Sequence, residues 1–168
     1  MNKKLIIGSI LVLLVIIAGY VYISEINKAD TEIPYINSHM QNGNNEYNQA
    51  VTYLNSKNYT LTTQHINESY KEYMLANEST TDAINKARNN NQSLQVKYLN
   101  YTLSELDCKI NATVEMFNGL NYVNSNPSLA LQYFANSNKL MINATNCSDE
   151  RKLLEEQYPD KFINILSN

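Results

Sequence analysis

The sequence predicts an all-α protein, in which one N-terminal transmembrane helix is followed by an antiparallel bundle of about four helices. Three observations support this fold class: an uncharged apolar run near the N-terminus, apolar positions at helical spacing in the rest of the chain, and only 4 Gly and 3 Pro among 168 residues. Scarce Gly and Pro argue against a turn-rich β-sandwich. We therefore expect long helices joined by short turns.

The uncharged run covers residues 5–23. Its 19 residues would rise about 28 Å as a helix, close to the thickness of a bilayer's hydrocarbon core. Lys3 and Lys4 precede the run, so we expect residues 1–4 in the cytoplasm and the bulk of the chain outside a single-pass cell membrane protein. The alternative is a cleaved secretory signal, which the length of the run and the lack of a small-residue cleavage site disfavour. The expected contact with the lipid bilayer is through residues 5–23.

The remainder of the chain is predicted to form a connector, residues 24–34, and one extracytoplasmic bundle, residues 35–168. From Ala29 onward the chain has 10 Lys plus Arg and 15 Asp plus Glu, a net charge of −5 without charge runs. Nucleic acid binding requires a basic face, so we expect no nucleic acid partner.

Polar breaks at residues 55–58, 89–93 and 124–128 recur about 34 residues apart. Between them apolar residues step by three and four, as on one face of a helix. Four antiparallel helices explain this spacing. The clearest stripe belongs to the third segment: Val96, Leu99, Leu103, Leu106, Ile110, Thr113, Phe117 and Leu120.

The fourth segment carries the strongest helix start. Asn126 is a capping residue and Pro127 suits the first helical position. We expect this segment to break once, through a loop at residues 143–148, because Ser148 is followed by two acids as in a new first turn. Pro159 marks a further helix start.

A faint internal repeat links the first and third breaks. Residues 53–56 read YLNS and residues 122–125 read YVNS, and the similarity continues at an offset of 68 to 69 residues. A duplicated helical hairpin would produce these matches, and so would chance in a chain of biased composition. A tetratricopeptide array is disfavoured because its repeats need small residues at fixed positions. The continuing matches pair Leu61, Gln64 and Ile66 with Leu129, Gln132 and Phe134.

Cys108 and Cys147 are the only 2 cysteines, and both follow the transmembrane run, in a compartment that permits disulfides. We predict a disulfide between them, which would stabilise the fold by about 4 kcal/mol in the chain-entropy treatment. Their midpoint falls in the third break, so an antiparallel hairpin places them at similar height, although Cys108 lies off the main apolar stripe.

Glycosylation sequons occur at eight positions, all downstream of the membrane run. Asn58, Asn91 and Asn143 are the best candidates because we expect them at helix ends or in loops. Accidental sequons in an Asn-rich chain are the alternative. The complete set is Asn58, Asn67, Asn77, Asn91, Asn100, Asn111, Asn143 and Asn146.

No catalytic residues, cofactor or metal site is predicted. His65, Glu68 and Glu72 share one helix face, but a solvated polar face explains them better than a metal. We expect a non-enzymatic cell-surface interaction or envelope-structural module with a cell-surface protein or glycan as partner. The alternative is a ligand-sensing or ligand-binding domain that acts with a membrane partner. Our candidates for an aromatic partner surface are Tyr98, Tyr101 and Tyr122.

Overall fold

A computed structural model describes residues 32–166, with side chains through Phe162. This part of the chain is entirely helical, which confirms the predicted helical bundle of about four long helices. The expected cytoplasmic end at 1–4, the membrane run at 5–23 and nearly all of the connector lie outside it. Within 32–166 no helix has the length and apolarity to cross a membrane. The helices are α1 Ile33–Asn55, α2 Tyr59–Asn89, α3 Ser93–Tyr122, α4 Pro127–Gln157 and α5 Pro159–Leu166.

The helix boundaries follow the predicted breaks. Asn58 caps α2 by accepting a hydrogen bond from Leu61 N at 3.2 Å, and Asn126 caps α4 by accepting one from Leu129 N at 3.1 Å. Each cap satisfies a backbone N–H that the first helical turn leaves without a partner. The predicted four-helix division is therefore set by local chemistry at the turns.

The predicted break inside the fourth segment is wrong, because α4 runs unbroken from residue 127 to 157. Ala144 is buried within it, and Arg151, seven residues further on, forms an ion pair with Glu105 of α3. These two contacts keep the segment in register along α3, so packing overrides the local capping signal at Ser148. The predicted start at Pro159 is confirmed by α5.

Consecutive helices pack side by side, so α2 and α3 each lie between two long helices, and α3 buries side chains on two faces. One apolar cluster includes Tyr73, Leu99 and Leu106. A second, nearer the α1–α2 and α3–α4 turns, includes Tyr47 and Met116. The sequence stripe on α3 described only one of its two buried faces.

The first hairpin, α1–α2, and the second hairpin, α3–α4, are built on one plan. Helices α2 and α4 both have 31 residues, and α4 begins 68 residues after α2. Tyr53 stacks on His65 with ring centroids 5.1 Å apart, and Tyr122 stacks on Tyr133 at 5.6 Å. The two stacks are related by shifts of 69 and 68 residues, the same shifts as the sequence matches.

A buried serine joins the helices of each hairpin. Ser69 Oγ donates to the Gly43 carbonyl at 2.8 Å, and Ser137 Oγ donates to the Ala112 carbonyl at 2.6 Å. Ser137 follows Ser69 by 68 residues and Ala112 follows Gly43 by 69. The faint sequence repeat therefore corresponds to equivalent positions in the two hairpins.

Candidate functional site

A groove of about 440 Å³ lies between α1 and α4, with α3 as its floor. Near the hairpin turns α1 and α4 meet through side chains, where the Tyr47 and Ser137 hydroxyls are 2.7 Å apart, and the groove opens between the same two helices. Its size is within the range typical of small-ligand sites. Its walls are mostly polar: Asn37, Met40, Gln41, Asn44, Asn48, Glu105, Lys109, Met141, Thr145, Ser148 and Arg151.

Three charged side chains form the floor of the groove. Glu105 and Lys109 are buried, with 3% and 6% of their surface exposed. Lys109 Nζ lies 2.8 Å from Glu105 Oε1, and Arg151 Nη2 lies 3.2 Å from Oε2. Burial of one isolated charge costs several kcal/mol, so each member of this charged triad depends on its partners.

The charged triad has two cations for one carboxylate. Among the described residues that line the groove, Glu105, Lys109 and Arg151 are the ionisable ones, so this lining has an excess of one positive charge. The next carboxylate after Arg151 on α4, Glu155, is outside the lining and accepts from Tyr98 Oη at 3.0 Å. Glu105 Oε2, although close to Arg151, accepts no well-aligned hydrogen bond. Local positive charge thus occurs in a segment whose overall charge is negative, so the groove favours an anionic group.

Asn44 shows how this floor is ordered. Its Oδ1 accepts hydrogen bonds from Tyr73 Oη at 2.9 Å and from Lys109 Nζ at 2.8 Å. An ammonium group can only donate, which fixes the orientation of the amide and leaves Nδ2 as a donor at the groove wall. Asn44 belongs to a row of amides on α1, spaced by three and four residues: Asn37, Gln41, Asn44 and Asn48.

Arg151 is held from several sides. Its Nη1 donates to Thr102 Oγ1 at 3.3 Å and contacts Met40 Sδ at 3.8 Å. The guanidinium also lies 5.6 Å from the centre of the Tyr98 ring, within the range of a cation–π contact. These contacts preorganise the cation at the groove instead of leaving it on a mobile side chain.

The first hairpin has apolar residues where the second has the charged triad. At the shifts of 69 residues for α1 to α3 and 68 for α2 to α4, Glu105 corresponds to Ile36 and Lys109 to Met40, and Arg151 corresponds to Ala83. The three counterparts are buried, with 1%, 4% and 0% exposure. The plan of the hairpin therefore does not require charge at these positions.

Burial raises the pKa of the three tyrosine hydroxyls nearest this network. Desolvation is the main cause for Tyr47, Tyr73 and Tyr98. For Tyr98 the Arg151 charge acts in the opposite direction but is outweighed. These hydroxyls are neutral donors at physiological pH, so they add no charge of their own to the groove.

Cys108 and Cys147 are half-buried free thiols in the structure. Burial raises the pKa of both. For Cys108 a negative charge on Cys147 would raise the pKa further. The disulfide stays a prediction.

The three candidate glycosylation sites are all exposed. Asn58 caps α2 through Oδ1, and Asn91 lies in the α2–α3 turn with a φ of 56°. The expected loop position of Asn143 is wrong, since this residue lies inside α4. Exposure leaves these side chains accessible, and glycosylation stays a prediction.

The histidine cluster does not assemble as a metal site. His65 Nδ1 donates to Glu46 at 2.6 Å, whereas Glu72 accepts from His39 Nδ1 at 2.6 Å. No group of three His, Cys, Asp or Glu side chains suited to a metal occurs within the described part of the chain. The His–Glu pairs instead join α1 to α2.

The candidate aromatic surface is only partly exposed. Tyr98 is 2% exposed and belongs to the core, so its expected surface position is wrong. Tyr101 packs against that core, and Tyr122 is stacked on Tyr133. Tyr122, at the end of α3, is exposed as expected, and so are further apolar side chains of α2 and α3: Tyr70, Met74, Leu75, Val114 and Phe117.

Sequence reasoning missed the charged triad. The available signal was local: Glu105 and Lys109 are separated by one helical turn and share a face with Thr102, Ala112 and Met116. Such a pair among apolar and small residues indicates buried charge. The third member, Arg151, comes from a different helix, and nothing in the local sequence pairs it with Glu105.

Comparison of the chain with models of protein families, with characterised proteins and with solved structures gave no significant match.

Proposed function

We propose that this protein is a non-enzymatic recognition module at a cell surface, anchored through residues 5–23, and that it binds its ligand in the groove between α1 and α4. The observation that carries the proposal is the charged triad of Glu105, Lys109 and Arg151. It occupies the floor of an open groove at positions where the first hairpin is apolar.

Stability alone is a poor reason for such a triad. Replacement of a buried ion network by apolar residues of similar volume is often neutral or stabilising, because the ions lose their hydration. In the first hairpin apolar residues pack at the equivalent positions. Binding supplies a reason for the charge, since water and salt screen preorganised, largely buried charges less than exposed ones.

Recognition fits the groove better than catalysis. The wall offers amides, hydroxyls and thioethers around the triad, and its carboxylate lies between two cations. Two neighbouring positive charges stabilise the ionised carboxylate and so make it a weak general base. Amide side chains both donate and accept, which suits hydrogen-bonding ligands such as glycans or peptides.

The test is a ligand screen by thermal shift, with full-length protein in detergent and a panel of sugars, sugar acids, amino acids and short peptides. The comparison protein is the triple variant Glu105→Ile, Lys109→Met and Arg151→Ala, which takes the residues of the first hairpin. We expect at least one compound to raise the Tm of the native protein and not of the variant. Absence of any shift, or equal shifts in both proteins, would contradict the proposal.

A further inference from the structure

We infer that the groove ligand carries a carboxylate, which binds between Lys109 and Arg151 while its neighbouring polar groups bind the amide row of α1. This inference rests on the proposed function and names the ligand class of the same groove. It follows from the charge balance of the floor, the donors left at its surface and the length of the amide row.

The charge balance favours a monovalent anion. The triad has one positive charge in excess, and one carboxylate would neutralise it. A phosphate dianion would reverse the imbalance and leave one uncompensated negative charge beside Glu105. Because an uncompensated charge beside the buried Glu105 is costly, the carboxylate is the better match.

Unused donors remain on both cations. The contacts of Lys109 with Glu105 and Asn44 engage two of the three N–H groups of an ammonium, and the Tyr73 ring, with its centroid 5.6 Å from Nζ, is a weaker partner. Arg151 contacts Thr102, Met40 and Glu105, which leaves further N–H groups of its planar guanidinium. Arginine binds carboxylates with paired, parallel hydrogen bonds, so the remaining donors suit this group.

The amide row sets what lies beside the carboxylate. From residue 37 to residue 48 the row extends about 17 Å along α1. Each amide both donates and accepts, and Asn44 presents Nδ2 to the groove because Tyr73 and Lys109 occupy its Oδ1. A carboxylate flanked by hydroxyls or amides fits this surface. Such chemistry belongs to a sugar acid or to the C-terminus of a peptide.

The experiment is isothermal titration calorimetry with full-length protein in detergent and matched probe pairs. The first pair is D-glucuronate and D-glucose; the second is acetyl-trialanine with a free carboxylate and with a C-terminal amide. Inorganic phosphate is the fifth probe. We expect at least one acid to bind at least about tenfold more tightly than its neutral partner, the usual effect of one charge-assisted hydrogen bond. The pair that shows the preference identifies the source of the carboxylate.

Two variants test the assignment of the residues. Arg151→Gln leaves Glu105 paired with Lys109 and removes the excess charge, so we expect it to lose the preference for the acid. The matched control, Lys152→Gln, removes a cation that is exposed and paired with Asp149, and should keep it. Circular dichroism checks that both variants are folded, and the triple variant provides a second protein without the cations.

The outcomes separate the two proposals. Equal binding of an acid and its neutral partner, or tighter binding of phosphate than of either acid, overturns the carboxylate assignment and leaves groove binding intact. Retention of the acid preference in Arg151→Gln also overturns the assignment. Absence of binding by all five probes contradicts the carboxylate assignment. The wider thermal-shift screen then decides whether the groove binds a ligand at all.

Discussion

The two hairpins have the same arrangement of helices and differ in the side chains at equivalent positions. Near the α1–α2 and α3–α4 turns they agree: each has a capping asparagine, a stacked ring pair and a buried serine that donates to the facing helix. Farther from these turns the first hairpin is apolar and the second carries Glu105, Lys109 and Arg151.

This difference separates what the fold needs from what the groove contains. Features present in both hairpins close the helix pairs and satisfy buried polar groups. Charge present in one hairpin alone is not required by the shared geometry, and it lies where α1 and α4 leave α3 accessible. The comparison therefore locates the candidate site without reference to any related protein.

The largest expected effect comes from removal of the carboxylate alone. Glu105→Ile leaves Lys109 and Arg151 close together without a counter-charge, and we expect unfolding to become easier by about 3–5 kcal/mol. Urea denaturation measures the change. Glu115→Gln is the control on the same helix: Glu115 is less buried and accepts from Asn136 at 3.1 Å, so its loss should cost less than about 1 kcal/mol. Equal effects would mean that the triad is no more important than a surface contact.

The two buried serines test whether the hairpins share their closing contact. Ser69→Ala removes the hydrogen bond to the Gly43 carbonyl and should cost about 1 kcal/mol. Ser137→Ala should cost more, about 1–3 kcal/mol, because it also removes the partner of the Tyr47 hydroxyl. Urea denaturation of both variants checks this order. A neutral effect at either serine would break the structural equivalence.

Alanine substitutions at the two buried glycines should differ less in their effect on stability. A Cβ on Gly43 would lie 2.5 Å from the Tyr73 ring, and one on Gly119 would lie 2.4 Å from the Phe134 ring. Tyr73 is fully buried and tethered by its hydroxyl, whereas Phe134 is only partly buried. After the helix-propensity gain of alanine, we expect Gly43→Ala to cost about 1–2 kcal/mol and Gly119→Ala about 0. Thermal unfolding of the two variants measures these costs. A larger loss of stability in Gly119→Ala than in Gly43→Ala would contradict the packing argument.

The buried tyrosines make the stability of the fold depend on pH only in alkaline solution. At neutral pH they cause no pH dependence. Burial raises the pKa of Tyr47, Tyr73 and Tyr98 in the folded protein, while unfolded tyrosine titrates at about 10. Their stabilising contribution is therefore complete below pH of about 10 and is lost as the pH rises above it. Denaturation monitored from pH 8 to 12 should show this decline. Tyr47→Phe with Tyr73→Phe should reduce it, and an unchanged decline would exclude the two hydroxyls as its source.

The sequence predicts the parts of this fold that depend on near neighbours. The cap at Asn126 and Pro127 and the apolar face of α3 follow from spacing and residue type, and the structure contains both. The break expected near Ser148 fails because distant packing outweighs a local signal. The site depends on such distant contacts throughout, since Arg151 and Glu105 are 46 positions apart.

The faint repeat is the one sequence signal that relates residues far apart in the chain. Matches at residues 53–56 and 122–125 are too few to exclude chance in the sequence, yet the structure relates them by equivalent stacks and hydrogen bonds. Only with that register established do Ile36, Met40 and Ala83 become the counterparts of the charged triad.

The central claim is that the charged triad serves recognition and is not needed for stability. Its most direct test is the free energy of unfolding of the triple variant Glu105→Ile, Lys109→Met and Arg151→Ala, measured by urea denaturation beside the native protein. We expect the variant to lose less than about 2 kcal/mol, because apolar residues replace a desolvated ion network while alanine at position 151 gives up part of the packing of Arg151. A loss of about 3 kcal/mol or more would show that the triad is structural and contradict the account.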